Sequence, residues 1–252
     1  MSLYENPYYY EVAFSYRDIS KEVNFFEQCI KQYSKINVKE VIEIGCGPSP
    51  YMLELINRKY FFTGLDNSKV MLDYAIEKAK KEGITIKTIH ADMRDFKTVY
   101  KVDFAFCMLG SLALQSNEAY MSHLNSIAKC LKQGGLYLID GFPCTTWPAL
   151  GKEEWTIKKK GLTIEVKWEE TPLNIDKRMV LETITLKIRE DGETKIIKEE
   201  SKFKSILLND FLELVNKSEE LDFIDRFNNF DLNQPLEQAI KINRPITILR
   251  KK

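Results

Sequence analysis

A short loop with two glycines is the segment of this sequence best suited to hold a ligand. Residues 41–44 are mostly apolar and predict a buried strand, and Gly45 and Gly47 follow it before a predicted helix. Glycine lets the backbone turn tightly and approach a ligand, and a helix start offers unpaired N–H groups. Nineteen residues after Gly47, Asp66 ends the next predicted strand. Its carboxylate is placed to accept from both hydroxyls of a ribose, which predicts a cofactor with a nucleoside.

Two cofactor classes fit such a loop. A dinucleotide site has the pattern G-x-G-x-x-G, in which the third glycine lets the helix pack closely. Pro50 occupies that position here, and Glu43 places a carboxylate two residues before Gly45. A pyrophosphate disfavours a nearby acid, whereas the cationic sulfonium of S-adenosylmethionine favours one. We therefore predict S-adenosylmethionine, with S-adenosylhomocysteine as the product. An NAD(P)-dependent oxidoreductase and a non-catalytic S-adenosylmethionine-binding protein remain the alternatives.

Four ordered motifs carry a resemblance to a known family. They are Glu43-Ile44-Gly45-Cys46-Gly47, then Gly64-Leu65-Asp66-Asn67-Ser68 with Met71-Leu72, then His90-Ala91-Asp92-Met93, and last Leu131-Lys132-Gln133-Gly134-Gly135-Leu136. Together they resemble class I S-adenosylmethionine-dependent methyltransferases of the small-molecule type, over most of the chain. One departure is Ser49, which stands where the family has its third glycine, so we expect altered affinity rather than lost binding.

The resemblance implies the roles of several residues in cofactor binding. Asp66 holds the ribose hydroxyls, Asp92 accepts from the adenine amine, Met93 flanks the adenine ring, and Gly45 and Gly47 underlie the methionine tail. The complete set of predicted cofactor contacts is Tyr16, Arg17, Glu43, Gly45, Cys46, Gly47, Asp66, Asn67, Met71, Asp92, Met93, Met108, Leu109 and Gly110.

Arg17 lies before a predicted amphipathic helix that would serve as a lid. Related methyltransferases use a Tyr and an Arg there to reach the cofactor's carboxylate, which Tyr16 and Arg17 would do through a charge-assisted contact. The alternative is a surface arginine beside an aromatic anchor.

The methyl acceptor is predicted to be a small molecule. After the fourth strand the chain reads Cys107-Met108-Leu109-Gly110-Ser111, without the N/D-P-P-Y/F motif of enzymes that methylate nucleic-acid bases. This segment resembles small-molecule N- and O-methyltransferases. The predicted acceptor contacts are Tyr9, Ser111, Phe142 and Trp147. Aromatic side chains suit an apolar pocket or a cationic amine, although Trp155 and Trp168 fit a small structural core at least as well.

No residue is singled out as a catalytic group, because in-line methyl transfer depends mainly on alignment and exclusion of water. His90 is predicted to shape the adenine end and His123 to be structural or solvated. Cys46 has no evident partner base, so only its backbone is expected to take part. Glu169-Glu170 is interpreted as a charge pair at a strand end. No metal site is predicted.

The elements that position these residues predict an α/β fold. Apolar runs at 41–44, 61–65, 84–89, 102–107 and 136–140 alternate with helical patterns, which is typical of a parallel sheet covered on both faces. The resemblance implies a Rossmann-like sheet of seven strands, mostly parallel, whose last strand, 246–250, is antiparallel and lies between the fifth and the sixth.

The predicted domains follow a change of pattern within the chain. Between 153 and 207 apolar residues alternate with polar ones, and Asp191-Gly192 indicates a hairpin. The prediction is an N-terminal helical lid (1–38), a methyltransferase core (39–143 and 207–252), and an antiparallel insertion (144–206) that caps the substrate pocket.

The composition argues against two classes of binding partner, nucleic acids and anionic membranes. The 252 residues include 37 basic and 37 acidic side chains, so the formal net charge is zero and no basic surplus drives binding to nucleic acid or to an anionic membrane. No secretory signal or membrane span is visible, and five scattered cysteines suit a reducing compartment. We expect a cytoplasmic protein, monomeric or homodimeric, whose partner is a small molecule.

Overall fold

The structure is a computed structural model of the chain that describes residues 2–148 and 150–252. The strands, in chain order, are β1 (Glu40–Ile44), β2 (Phe61–Asp66), β3 (Lys87–His90), β4 (Val102–Cys107), β5 (Leu131–Asp140), β6 (Lys152–Lys159), β7 (Leu162–Asn174), β8 (Met179–Glu190), β9 (Glu193–Lys204), β10 (Leu221–Asn228), β11 (Asp231–Pro235) and β12 (Pro245–Lys251). The helices are α1 (Pro7–Ala13), α2 (Ile19–Tyr33), α3 (Met52–Asn57), α4 (Lys69–Lys81), α5 (Asn117–Cys130) and α6 (Leu208–Ser218). Single 3-10 turns lie at Leu3–Glu5 and Leu236–Gln238.

The main sheet has the strand order β11-β10-β12-β5-β4-β1-β2-β3. Strands β1 to β5 pair in parallel, whereas β12 lies between β5 and β10 and runs antiparallel to both. The mostly parallel sheet and the position of its last strand are therefore confirmed. Because the chain extends from β1 first towards β3 and then towards β5, the strand order reverses at β1 and β4. Ligands of such sheets bind beyond the carboxyl ends of the strands at this point.

The main sheet has eight strands, which corrects the expected seven. The additional strand, β11, pairs antiparallel with β10 at the edge, after a turn in which Asn229 and Phe230 both have φ near +57°. Its sequence, DLNQP, has one large apolar side chain and a proline. Such a segment lacks the apolar run by which a strand is recognised, and an edge strand tolerates proline because one side needs no ladder donor.

The central strands of the main sheet bury both faces. On one face Ile42, Ile44 and Ile139 pack with residues of α5 and α6. On the other, Val41 and Phe104 pack with α2 and α3. Double coverage explains why these strands are continuous apolar runs rather than alternating ones.

Helix α3 begins later than the sequence predicts. Proline favours the first turn of a helix, so the sequence predicts a start at Pro48 or Pro50, but the first helical residue is Met52 and Tyr51 occupies the cap position. Ser49 has φ +51°, in the left-handed region, and a residue before proline is disfavoured from the helical conformation. The glycine loop therefore continues as far as Met52, and the segment between the glycines and Met52 is not helical.

The insertion forms a separate four-stranded antiparallel sheet in the order β6-β7-β8-β9. The hairpin at Asp191-Gly192 is confirmed, with φ +49° and +82°, as a tight primed turn requires. Alternate residues of one face pack against Leu3, Val12 and Ala13 of the N-terminal segment. The insertion thus rests on that segment as well as facing the main sheet.

The predicted N-terminal lid divides into two parts. The first, which includes α1, contacts β6, β7 and α4. The second, α2, buries Val23, Phe25 and Phe26 in the hydrophobic core against the main sheet. In the described part of the chain, no helix combines the length and the apolar character needed to cross a membrane.

Candidate active site

The glycine loop follows β1, and both of its glycines have backbone angles in the left-handed region. Gly45 has φ +66° and Gly47 φ +50°, values that L side chains adopt only with strain. A Cβ on Gly45 would lie 3.0 Å from Met93 Cε, and one on Gly47 would lie 3.9 Å from the Tyr10 ring. The two glycines therefore keep this surface of the loop flat, which leaves room for a ligand.

Asp66 ends β2 directly beside the loop. One carboxylate oxygen accepts from the Gly47 N–H (2.7 Å) and the other from the Ser68 N–H (2.8 Å), while the Ser68 hydroxyl caps α4. Burial outweighs these hydrogen bonds and raises the pKa of Asp66. The spacing noted in the sequence thus places this carboxylate against the loop, with lone pairs left for a ligand.

Glu43 is the innermost acid of the site. Its side chain is buried at the end of β1 and accepts from the hydroxyl of Ser49 at 3.0 Å. Burial raises the pKa of Glu43 to about 8. Ser49, which replaces the family's third glycine, therefore links the glycine loop to the end of β1 through this hydrogen bond.

A cavity of about 410 Å³, the central cavity, lies at the carboxyl ends of β1, β2 and β4. Among its lining residues are Tyr4, Tyr10, Gly45, Gly47, Asp66, Asn67, Met71, Asp92, Met93, Arg94, Leu109, Gly110, Ser111, Trp168 and Glu182. Three of these are acids. Arg94 supplies a positive charge, and it is paired with Asp92. This surplus of carboxylates suits a cationic ligand and disfavours a pyrophosphate, so the lining fits S-adenosylmethionine better than a dinucleotide.

The far end of the central cavity is formed after β3. Asp92 accepts from the backbone N–H and guanidinium of Arg94, and this bonding lowers the pKa of Asp92. His123 holds the neighbouring segment, because its Nδ1 donates to the Met93 carbonyl (2.8 Å) and its Nε2 accepts from the Tyr137 hydroxyl (2.8 Å). His123 is fully buried and structural, as expected. His90 is exposed and bonds to the Asn67 carbonyl.

A second cavity of about 400 Å³, the loop-side cavity, lies across the glycine loop and is lined by Arg17, Glu43, Cys46, Met108 and Lys78, among others. The guanidinium of Arg17 forms an ion pair with Glu22 and stacks over the Tyr51 ring at 4.8 Å. Arg17 faces the cavity, but its charge is already neutralised. A carboxylate ligand would have to share Arg17 with Glu22.

A third cavity of about 570 Å³, the insertion-side cavity, separates the insertion from the end of β5. Its lining includes Tyr16, Phe142, Trp155, Trp168, Glu170 and Glu182. Phe14, Leu109, Gly110, Ala113, Trp168 and Glu182 line both this cavity and the central one. The two spaces therefore adjoin, which allows two ligands to meet.

The structure brings most of the predicted residues to these cavities. The central cavity takes Gly45, Gly47, Asp66, Asn67, Met71, Asp92, Met93, Leu109, Gly110 and Ser111. The loop-side cavity adds Arg17, Glu43, Cys46 and Met108, and the insertion-side cavity adds Tyr16 and Phe142. Phe142 lies mainly in the core, with its ring 5.2 Å from that of Tyr120 and 5.0 Å from that of Phe211.

Two of the predicted acceptor contacts lie outside these three cavities. The Tyr9 hydroxyl donates to Glu190 at 2.7 Å, and Lys195 lies 5.2 Å from its ring, so Tyr9 binds the insertion. It is the next residue, Tyr10, that lines the central cavity. Trp147 is part of none of the three linings.

Sequence reasoning missed the acids of the insertion. Glu170 was interpreted with Glu169 as a charge pair, but the two side chains lie on opposite faces of β7. Glu169 pairs with Lys167, whereas Glu170 lines the insertion-side cavity together with Glu182. Alternation along a strand was the available signal, since Glu170 shares the face of Trp168.

Both the sequence and the fold match known methyltransferases. Residues 41–135 match the family model described as Methyltransferase domain. The strand order and the loop geometry of this region are similar to those of class I S-adenosylmethionine-dependent methyltransferases.

Particular relatives agree with this class. A protein of a Geobacillus species, named as a methyltransferase, is 26% identical over 135 residues, which span 53% of this chain and 54% of the relative. The match therefore covers about half the length of each protein. A solved S-adenosylmethionine-dependent methyltransferase from Clostridium acetobutylicum has a TM-score of 0.77 at 17% identity, covering 96% of this chain and 95% of that one. A sugar N-methyltransferase from a Streptoalloteichus species has a TM-score of 0.75 at 14% identity, covering 96% and 92%. At these identities the structural likeness concerns the fold.

Proposed function

We propose that this protein transfers the methyl group of S-adenosylmethionine to a nitrogen or oxygen atom of a small molecule by in-line displacement. The observation that carries the proposal is the pair of adjoining cavities at the carboxyl ends of β1 and β4. One is lined by the glycine loop and Asp66, and the other is open to a second ligand. When bound, the cofactor supplies a methyl group activated by its sulfonium.

The chain's own residues would bind the cofactor and align it with the acceptor. Asp66 would hold the ribose hydroxyls, Asp92 the adenine amine, and the flat backbone at Gly45 and Gly47 would lie against the methionine tail. Arg17 would bind the tail's carboxylate in competition with Glu22. The insertion would exclude water and select the acceptor.

Two observations weigh against the alternatives. The acidic lining of the central cavity disfavours the pyrophosphate of NAD(P). The adjoining insertion-side cavity favours an enzyme over a simple binder, because a binder needs no space for an acceptor. The sugar N-methyltransferase of similar fold supports nitrogen as the target.

Calorimetry with S-adenosylmethionine, S-adenosylhomocysteine and NAD⁺ tests the proposal. We expect binding of the first two only, and release of S-adenosylhomocysteine when a metabolite extract is added. Tight binding of NAD⁺ would support the oxidoreductase instead. Binding of S-adenosylmethionine without release of the product would support a sensor.

A further inference from the structure

Two glutamates face each other on the cavity side of the insertion. Glu170 of β7 is paired in register with Glu182 of β8. Their neighbours on that face are Trp168, Ile184 and Val180, which are aromatic or aliphatic. Like charges directly opposite each other destabilise a sheet. The stability of the sheet therefore does not explain why this apolar face contains two glutamates.

No basic side chain in residues 2–148 or 150–252 forms an ion pair with either glutamate. Glu182 accepts from the indole Nε1 of Trp168 at 2.8 Å, and Glu170 accepts from the Gly151 N–H at 2.9 Å. On the opposite face of the same sheet, by contrast, Glu165 pairs with Arg189 and Glu169 with Lys167. The cavity face therefore holds two carboxylates that lack a cation.

Burial acts on both carboxyl groups, and the charge of Glu182 also acts on Glu170. Burial, with a smaller contribution from the nearby charge of Glu182, raises the pKa of Glu170 to about 7. The pKa of Glu182 is also raised by burial. A positively charged ligand beside them would reverse both effects.

The pair lies where acceptor and methyl donor would meet. Both glutamates line the insertion-side cavity, and Glu182 and Trp168 also line the central cavity. Trp155 and Tyr16 add aromatic rings to the insertion-side cavity, with centroids 5.6 Å apart. Carboxylates flanked by aromatic rings form a favourable environment for an ammonium group.

We propose that Glu170 and Glu182 bind the ammonium group of the methyl acceptor and accept its proton, so that the substrate is an amine rather than an alcohol. This inference rests on the proposed function and narrows it.

The proton and electron balance is complete without a further reagent. The ammonium gives one proton to a carboxylate, which leaves the nitrogen with a free electron pair. That pair forms a C–N bond with the methyl carbon as the C–S bond breaks, and the bonding electrons return to sulfur. The products are the methylated ammonium and S-adenosylhomocysteine, and the carboxylic acid then passes its proton to solvent. An alcohol is far too weak an acid for a carboxylate to deprotonate in this way.

The test uses a matched pair of probes, benzylamine and benzyl alcohol, titrated by calorimetry into the full-length protein loaded with S-adenosylhomocysteine. We expect the wild-type protein to bind benzylamine at least tenfold more tightly than benzyl alcohol. Glu182→Gln and Glu170→Gln should each reduce that preference, and the double variant should abolish it. The control is Glu169→Gln, on the same strand but the opposite face, which should keep the preference. Thermal unfolding would establish that the variants fold.

A second measurement identifies the methylated atom. S-Adenosylmethionine with a ¹³C-labelled methyl group is incubated with the protein and a bacterial metabolite extract, and the product carbon is assigned by NMR. An N-linked methyl supports the inference. An O-linked methyl, equal binding of the two probes, or an unchanged preference in the double variant would overturn it while leaving the proposed function intact. Failure of the protein to bind S-adenosylhomocysteine at the loading step would instead overturn the proposed function.

Discussion

At the scale of single residues, the site is a set of acids in three different environments. Asp66 is held by two backbone N–H donors, Asp92 by an arginine, and Glu43 by one hydroxyl in the interior. Arg94 lowers the pKa of Asp92, whereas burial raises those of Asp66 and Glu43. The three carboxylates can therefore serve different parts of one cofactor.

Asp66 is the residue on which cofactor affinity should depend most. We expect Asp66→Ala to weaken S-adenosylmethionine binding by about 1–3 kcal/mol, the usual range for lost hydrogen bonds to a charged group. Calorimetry measures this, with Asp73→Ala as the control, because Asp73 is an exposed acid of α4 paired with Lys69. An unchanged dissociation constant would contradict the ribose assignment.

His123 should make the protein sensitive to acid. Burial lowers the pKa of His123 from 6.5 to about 4, so the unfolded chain binds a proton more readily than the folded one in that range. Stability from this residue is complete above pH 6.5 and is lost as the pH falls towards 4, by roughly 3 kcal/mol in total.

Denaturant unfolding from pH 7.5 to 4 measures this loss, with His123→Gln as the comparison. The wild-type protein should lose more stability over that range than the variant does, although the variant starts lower because it disturbs the bonds to Met93 and Tyr137. Parallel curves for the two proteins would show that His123 is not the responsible group.

At the scale of elements, the N-terminal segment joins the two sheets. Glu11 of α1 accepts from Lys78 (2.6 Å) and from the Tyr74 hydroxyl (2.7 Å), both on α4. Lys78 also donates to the carbonyl of Pro48, in the loop, at 2.7 Å. On its other side, α1 provides the Ala13 carbonyl to the indole of Trp155. This helix therefore connects the glycine loop to the insertion.

Glu11→Gln should loosen α1, because it removes the charge from a partly buried ion pair. We expect a loss of about 1 kcal/mol, which corresponds to roughly fivefold faster amide exchange in residues 7–13 if exchange follows local opening. Hydrogen exchange with mass spectrometry measures the change. Glu77→Gln, an exposed α4 acid paired with Lys80, serves as the control and should leave the rate unaltered.

At the scale of the whole molecule, the sequence predicted the parallel core well and its surroundings less well. Continuous apolar strands and the glycine loop are local patterns, so β1 to β5 and Asp66 could be identified directly. The sequence did not predict which face of α1 points towards the central cavity. Tyr9 and Tyr10 are adjacent tyrosines about 100° apart on the helix, and only the position of the insertion determines which one reaches the cavity.

The residues proposed to bind the acceptor were harder to predict for the same reason. Glu170 and Glu182 are 12 residues apart in the chain and meet only through the register of β7 and β8. The contact of Glu182 with the central cavity further depends on how the second sheet is placed over the first. Neither relation is encoded in a local pattern, whereas the alternation that puts Glu170 beside Trp168 was present and could have been used.

The insertion leaves the main fold and returns to it at neighbouring points. The Cys144 N–H donates to the Ile206 carbonyl at 3.0 Å, and Cys144 and Leu207 form an isolated parallel β-bridge. A loop whose ends touch can be exchanged for another of different length without moving the framework that carries it. Under the proposed function, new acceptor preferences could therefore arise by replacing the whole insertion in one event. Because Leu3, Val12 and Ala13 pack on it, the beginning of the chain would have to change with it.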